Sequence, residues 1–225
     1  MRLPKNFMLG ATTAAHQVEG NNINSDCWIQ EQMKYTSYLE PSLDAVDHYN
    51  RYEEDIRLLV KAGLNTYRFS IEWARIEPEE GRFNEAEAEH YRKVIRCCKE
   101  NGVEPMVCMH HFSSPKWLIS RGGWEAEETV EYFRRYCAWV TERLGNELNY
   151  VCTINEANMR LQMRHVMEKY MRQAQSAGSL QVGINLEDMM AKQKEATREA
   201  SEVFGLPEGE QPQTFQTPCT PEGDQ

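Results

Sequence analysis

The chain has 225 residues, with 35 acidic against 25 basic side chains and a formal net charge of -10. This acidic balance argues against nucleic acid or an anionic membrane surface as a partner, because either would require a basic patch. No apolar run approaches the roughly 18 residues of a membrane span, and the N-terminus lacks the apolar stretch of a signal peptide, so a cytoplasmic protein is expected. The seven cysteines have no framework spacing, which favours free thiols over disulfides or a zinc site.

Four short apolar or β-branched segments each end on polar residues, as the strands of a parallel sheet do. In chain order they occupy residues 7–13, 65–73, 105–112 and 150–156. In the last segment, Val151, Thr153 and Ile154 predict a buried strand.

Three stretches with apolar residues at helical spacing accompany these strands. They occupy residues 46–62, 88–100 and 130–144, and a glycine follows each within two residues. Strands that alternate with helices at this spacing predict right-handed βαβ units and a parallel sheet.

The polar residues at the strand ends are candidates for chemistry. Asn155 and Glu156 follow the fourth strand, and a (β/α)8 enzyme keeps its reactive groups at such carboxyl-terminal ends. An isolated Asn-Glu pair is equally typical of a helix N-cap with an acidic first turn. His110 and His111 end the third strand and point to opposite faces, and His110 is interpreted as structural.

Several longer motifs follow one another in chain order, namely FMLGATTAAHQVEG (7–20), DHYNRYEED (47–55), YRFSIEWARI (67–76), HF (111–112) with Pro115, GGW (122–124) and TINE (153–156). Over about residues 3–158 this series resembles family 1 glycoside hydrolases, the retaining β-glucosidase family. The resemblance implies an α/β protein with a TIM (β/α)8 barrel, of which residues 1–158 would form the N-terminal half with about four βα units.

Length limits what the chain can contain. A complete barrel needs about 250 residues, so the chain is either a fragment, or one half of a split barrel, or a chain whose second half folds differently. A missing C-terminal barrel half would be supplied in cis or in trans. A half barrel would expose two sheet edges and part of an apolar interior, which predicts association.

Residues 159–225 do not continue the barrel pattern. They predict helices over 159–175 and 186–204, a turn at 178–183, and a mobile Pro/Gly/Glu-rich segment over 205–213. The whole region is interpreted as an enlarged helical loop over the active-site mouth. Methionines at intervals of four predict a packing stripe on the first helix: Met159, Met163, Met167 and Met171.

The resemblance implies roles for the polar residues on the fourth and second strands. Glu156 matches the catalytic acid/base, which protonates the leaving oxygen and later deprotonates water. Asn155 matches the residue that binds the sugar 2-hydroxyl. Arg68 matches an arginine beside the nucleophile, where it would hold that carboxylate ionised.

The resemblance also implies sugar-binding residues. Gln17 and His111 match groups that bind the glycone, and Phe112 stands in the same site where a tryptophan is common. Core packing is the preferred interpretation for Trp73 and Trp124, whereas Trp28 is a candidate for stacking on a sugar. No cofactor and no metal are expected.

The chain departs from the family pattern in one decisive respect. The nucleophile, a glutamate in a Glu-Asn-Gly motif on the seventh strand, has no counterpart. The sequence Glu100-Asn101-Gly102 matches in letters but falls at the end of a predicted helix, at the wrong end of the barrel. In addition, Ala157 replaces a proline and His16 a tyrosine.

Three functions remain open from the sequence. The first is the N-terminal part of a retaining β-glycosidase that acts on β-glucosides or phosphorylated β-glucosides. The second is a non-catalytic half barrel that binds carbohydrate or a protein. The third is another retaining hydrolase whose fourth strand ends in Asn-Glu, against which Gln17 and the segment 67–70 argue.

Overall fold

The computed structural model describes residues 4, 6–176 and 186–219. Within them, four strands form one parallel sheet in the order β1-β2-β3-β4. These strands are β1 (Gly10–Thr12), β2 (Thr66–Ser70), β3 (Glu104–His110) and β4 (Tyr150–Ile154). The predicted parallel sheet is therefore confirmed, with each strand beside its predecessor in the chain.

Helices connect the strands and continue beyond the last one. They are α1 (Ala15–Val18), α2 (Asp26–Glu31), α3 (His48–Lys61), α4 (Trp73–Ile76), α5 (Glu85–Glu100), α6 (Lys116–Ser120), α7 (Glu128–Leu144), α8 (Met159–Ser176) and α9 (Leu186–Phe204). The described chain thus forms half of a (β/α)8 barrel, with α3, α5 and α7 as its three crossover helices.

In the three crossover helices, most of the apolar residues predicted to face the core do so. In α5 the predicted apolar positions are all buried, namely Ala88, Tyr91, Val94, Ile95 and Cys98. The side chain of Asn84 caps this helix by accepting the N–H of Ala86 at 3.0 Å. Three predicted core positions differ: Val46 precedes the first turn of α3 and is 60% exposed, and Val60 on α3 and Val130 on α7 point to solvent.

The hydrophobic core lies between the sheet and these helices. Trp73 is buried at its centre and stacks on Tyr136 with ring centroids 4.9 Å apart. The Tyr136 hydroxyl lies 3.2 Å from the carbonyl of Ile71 and 3.0 Å from that of Met109, so it ties α7 to the ends of two strands. Trp73 is therefore a core residue, as predicted.

The sheet ends abruptly at β4. The prediction of a buried strand is wrong here, because β4 pairs with β3 on one side only and Val151 is 48% exposed. The N–H of Asn155 donates to the carbonyl of His110 at 2.9 Å. Along a strand of a parallel sheet, the peptide N–H and C=O groups of successive residues point alternately to one side and to the other. The peptide groups of Cys152 and Ile154 consequently point away from β3.

Two helices follow β4, and residues 205–219 after them form turns and irregular structure. Helices α8 and α9 agree with the prediction, and the predicted turn at 178–183 lies outside the described residues. The methionine stripe is not packed: Met163 and Met167 are exposed because no described element covers that face of α8, and the side chain of Met171 lies outside the described part.

The start of α8 and the chain after α9 are fixed to each other. Arg160 donates to the carbonyl of Thr217 at 2.8 Å and to the side chains of Gln213 and Glu125. The N–H of Trp124 donates to the carbonyl of Gln213 at 2.8 Å. The mobility expected for residues 205–213 stays a prediction, although Gln213 at their end is held by these bonds.

The buried carboxylates of the described residues include Glu19, Asp26 and Glu72, near the carboxyl end of the sheet. Burial raises the pKa of Glu19 and that of Asp26 to about 7. Burial also raises the pKa of Glu72. Arg75 opposes the rise at Glu19, and the backbone N–H groups of Ser114 and Cys27 oppose it at Asp26.

The open edge of β4 predicts aggregation that a charge will suppress. Val151→Lys places a positive charge beside the unpaired peptide groups, so light scattering at a fixed protein concentration should rise more slowly than for wild type. Because Val151 is exposed, the free energy of unfolding should change by no more than about 0.5 kcal/mol. Val130→Lys, on an exposed face of α7, is the matched control and should leave the scattering unchanged. Equal effects of the two lysines would show that the edge is not the site of association.

The buried carboxylate of Asp26 predicts a pH-dependent stability. Its pKa is near 3.8 when unfolded and about 7 when folded, so the native state holds more protons between these values. The free energy of unfolding therefore falls as pH rises from about 4 to about 7. The substitution Asp26→Asn removes the ionisable group. The decrease in the free energy of unfolding between about pH 4 and about pH 7, measured by urea unfolding, should then be smaller than in wild type by on the order of 1–3 kcal/mol.

The exposed substitution Asp44→Asn is the control for this experiment and should keep the wild-type slope. If Asp26→Asn and wild type show the same dependence on pH, Asp26 is ionised in the native state throughout the range and the prediction is wrong.

Candidate active site

The carboxyl-terminal ends of the four strands form one rim. The chain leaves β1 at this rim for α1, leaves β3 for the turn at 111–115, and leaves β4 for the turn at 155–158. Parallel strands carry their functional groups at this end. All six predicted site residues lie on these strands or in the segments that follow them.

Arg68 spans the sheet from β2. Its guanidinium donates to the hydroxyl of Thr12 at 3.2 Å, to the sulfur of Cys108 at 3.4 Å and to Oδ1 of Asn155 at 2.9 Å. One side chain therefore contacts residues from β1, β3 and the end of β4. Because Oδ1 of Asn155 accepts from Arg68, the amide N–H groups of Asn155 remain available as donors.

Glu156 follows in an unusual backbone conformation. Its φ is +49°, in the left-handed region that non-glycine residues rarely adopt. Its carbonyl accepts the N–H of Met159 at 2.8 Å, which begins α8. The side chain is exposed, and no hydrogen bond or ion pair holds its carboxylate among the described residues. The carboxylate is thus presented to solvent at the rim.

His111 and Phe112 form the first part of the turn after β3. Burial, together with the nearby charge of Arg68, lowers the pKa of His111 to about 4, so the ring is neutral at pH 7. Its Nδ1 is buried and has no hydrogen-bond partner among the described residues. Phe112 meets the His111 ring edge-on at a centroid distance of 5.0 Å, and its φ is +70°.

Gln17 lies on α1, directly beyond β1. The N–H of Ala15 donates to the hydroxyl of Ser70 at 2.7 Å, which fixes the start of α1 to the end of β2. The Gln17 side chain is exposed and its carboxamide makes no hydrogen bond among the described residues. Gln17 and Glu156 thus have exposed polar groups without a described partner, whereas the unpartnered Nδ1 of His111 is buried.

The structure brings the predicted residues together to different degrees. Arg68 and Asn155 are in direct contact, and His111 contacts Phe112. Gln17 and Glu156 are at the same rim, but no described contact joins either of them to the other candidates. His110 has the structural role predicted for it: it is buried, with Nε2 3.0 Å from the hydroxyl of Ser114.

The aromatic candidates divide as the sequence suggested. Trp124 is partly buried and packs edge-on against Phe215 at 4.9 Å, while its Nε1 donates to Ser114 at 2.9 Å. Trp28 is partly exposed on α2 and remains a candidate for contact with a sugar.

The buried carboxylates behind the rim were not identified from the sequence. Asp26 binds the N–H of Ser114, and Glu72 binds the hydroxyl of Ser113, so both hold the turn that carries His111. The available signal was an acidic residue inside an apolar motif, as Glu72 is between Ile71 and Trp73. The sequence does not show that such a residue points inward.

The amino-terminal ends of the strands lie at the far end of the barrel, away from the candidate residues. A recess of about 590 Å³ lies there, lined by residues that include Asn65, Glu104 and Tyr150. The sequence Glu100-Asn101-Gly102 is at this end, after α5, which agrees with its rejection as a nucleophile motif. In the described part of the chain no group of His, Cys, Asp and Glu could hold a metal ion. None of the described helices is long and apolar enough to cross a membrane.

Comparison with known proteins agrees with this geometry. The family model for glycosyl hydrolase family 1 matches residues 1–209. Over 161 residues the chain is 35% identical to beta-glucosidase A of Acetivibrio thermocellus, and the alignment covers 68% of this chain and 36% of that protein. It is 37% identical over 163 residues to a 6-phospho-beta-galactosidase of Staphylococcus haemolyticus, with 69% and 34% covered.

Solved structures extend the similarity to the region after β4. The crystal structure of beta-glycosidase BGL167 superposes with a TM-score of 0.82 at 42% identity and covers 99% of this chain and 49% of that one. The family 1 β-glucosidase of Thermotoga maritima superposes with a TM-score of 0.63 at 32% identity, covering 69% and 36%. The chain spans about a third of the length of the curated relatives it matches. It belongs to glycosyl hydrolase family 1 and has the first half of that family's TIM barrel.

Proposed function

We propose that this chain provides the acid/base half of a retaining β-glycosidase. The observation that carries the proposal is the contact between Arg68 and Asn155 at 2.9 Å, with Glu156 next in the chain and its carboxylate unpaired. These residues occupy the rim where a barrel enzyme of this family binds and cleaves its substrate.

The chemistry assigned to Glu156 is that of a general acid and then a general base. It protonates the glycosidic oxygen as the bond to the leaving group breaks, and it takes a proton from the water that follows. Retention requires a second carboxyl group about 5–5.5 Å away as nucleophile. No described carboxylate contacts Glu156, so that group is assigned to the other barrel half.

The remaining rim residues hold the sugar. Asn155 has free N–H donors for the 2-hydroxyl, a contact that strengthens in the transition state. Gln17 and the neutral ring of His111 can each donate and accept, which suits adjacent hydroxyls. Arg68, already beside Asn155, supplies the positive charge that keeps a neighbouring nucleophile ionised.

The substrates proposed are β-glucosides or their phosphorylated relatives. Relatives named beta-glucosidase and 6-phospho-beta-galactosidase match stretches of similar length, 161 and 163 residues, with similar identity, 35% and 37%. This half of the site therefore supports the β-glycoside class without choosing between the two glycones.

Residues 159–225 are proposed to form an enlarged loop over the mouth of the site, attached to a barrel half at 1–158. Two contacts support this. Arg160 binds Glu125 and Gln213, and Phe215 packs on Phe112 with ring centroids 6.0 Å apart. The second contact brings the region against the turn that carries His111.

A second candidate function is a half barrel that binds carbohydrate or a partner without hydrolysis. The observation in its favour is that the described residues place no second carboxylate beside Glu156. It differs from the first proposal in one measurable way, because adding a nucleophile would not produce turnover.

The test is hydrolysis of 4-nitrophenyl β-D-glucopyranoside. The purified 225-residue chain should show no turnover above background, because loss of one carboxylate of such a pair removes several kcal/mol of barrier lowering. Mixing it with the separately produced C-terminal half of a family 1 β-glucosidase, which supplies the nucleophile, should restore hydrolysis.

The role of Glu156 is tested in the same mixture. Glu156→Gln should lower the restored rate by about 100-fold or more, whereas the exposed control Glu142→Gln should not change it. Turnover by the chain alone would overturn the assignment of the nucleophile to the other half. A mixture that assembles and remains inactive would favour the binding function.

A further inference from the structure

The turn that carries His111 and Phe112 is held from behind by two buried carboxylates. Oε2 of Glu72 accepts the hydroxyl of Ser113 at 2.6 Å. Oδ1 of Asp26 accepts the N–H of Ser114 at 2.8 Å, and the N–H of Asp26 donates to the Ser114 carbonyl at 2.8 Å. Both serines are buried, so water does not compete for these bonds.

This clamp acts on a strained segment. Phe112 has a φ of +70°, a conformation that a bulky residue keeps only when its surroundings determine it. The bonds to Ser113 and Ser114 follow Phe112 immediately, and the N–H of Ser113 returns to the carbonyl of His111 at 2.9 Å. The position of the His111 ring therefore depends on the clamp.

The same network reaches the helix that carries Gln17. The N–H of Glu72 donates to the hydroxyl of Tyr91 at 3.0 Å, and that hydroxyl donates to Oε1 of Glu19 at 3.0 Å. Glu19 is the C-cap residue of α1, two positions after Gln17, and Arg75 binds its other oxygen at 2.8 Å. Glu72 is thus bonded towards both of the proposed sugar-binding residues.

We propose that Glu72 is a positioning residue that couples Gln17 to His111, through Tyr91 on one side and Ser113 on the other. It sets the spacing of the two groups that bind the glycone, and it touches neither sugar nor reacting atoms. This inference rests on the proposed function for its biological meaning, but the coupling itself is a property of the described residues.

A purely structural role for Glu72 makes a different prediction. If the network only stabilised the core, breaking it would lower the free energy of unfolding and leave the folded rim unchanged. If it positions the rim, breaking it will alter His111 and the affinity for sugar in molecules that remain folded.

The first experiment uses Ser113→Ala in the 225-residue chain with ¹⁵N-labelled histidine. NMR titration should show the pKa of His111 rising from about 4 towards the value of about 6.5 of an exposed imidazole, because the released turn exposes the ring. Affinity for methyl β-D-glucopyranoside, followed by the same spectra, should fall about tenfold. At each pH, the ¹⁵N chemical shifts of His48 should be the same in the variant and in wild type.

Two further variants provide the controls. Ser113→Thr keeps the hydroxyl and should retain the wild-type pKa of His111 and the affinity. Ser120→Ala removes an exposed serine hydroxyl on α6 that donates to the carbonyl of Lys116 at 3.3 Å, and it should also behave like wild type.

The coupling is tested by breaking the other side of the network. Tyr91→Phe should move the side-chain amide signals of Gln17 and also weaken sugar binding. If Glu72 couples the two groups, the double variant Ser113→Ala/Tyr91→Phe will bind sugar more tightly than the product of the two single losses predicts. Independent, multiplicative losses would overturn the coupling.

The outcomes separate this inference from the proposed function. Failure of the wild-type chain to bind the glucoside counts against the proposed function, and the pKa of His111 then decides the positioning role alone. An unchanged pKa of His111 in folded Ser113→Ala overturns the positioning role, whether or not the sugar binds.

Discussion

Parallel pairing of β1, β2, β3 and β4 is the constraint on which the rest of this structure depends. It brings four carboxyl-terminal strand ends to one rim, and the side chain of Arg68 then bridges that rim by contacting Thr12, Cys108 and Asn155. Without the common direction of the strands, residues 12 and 155 could not share one guanidinium. The crossover helices serve this arrangement by burying the other side of the sheet in an apolar core.

The polar groups buried behind the rim reduce the stability of the fold. Burial raises the pKa of Glu19, Asp26 and Glu72, and the guanidinium of Arg75 opposes this rise at Glu19 and Glu72. Such groups weaken the fold above neutral pH relative to apolar side chains of the same size. In return, they supply acceptors for the N–H and hydroxyl groups of a turn that no regular secondary structure could satisfy.

Much of this architecture could be predicted from the sequence because it depends on local patterns. The apolar spacing in α5 and its capping residues are properties of adjacent turns, and the strand ends follow from β-branched runs that stop at polar residues. The exposure of Val151 could not be read from its own segment, because it depends on whether another strand lies beside β4. The exposed methionines of α8 were mispredicted for the same reason.

The sequence identified the residues of the candidate site, but it did not predict the contacts that hold those residues in place. Motif positions identified Arg68, Asn155 and Glu156, and the structure gives the contact between the first two. The clamp by Asp26 and Glu72 depends on contacts across 88 and 41 residues of chain, which no local pattern encodes. The left-handed conformation of Phe112 likewise accompanies the tertiary bonds of the two serines that follow it, since a bulky residue does not favour that conformation by itself.

The unpaired peptide groups of Cys152 and Ile154 have a geometrical consequence for any strand that docks there. Parallel strands lie about 4.8 Å apart, and a shift of register by one residue would turn every docked side chain to the opposite face. Only one family of registers therefore lets a docking strand keep its apolar side chains inward. Registers within that family differ by steps of two residues, and each step moves the end of the docking strand by roughly 6.6 Å relative to the rim that carries Glu156.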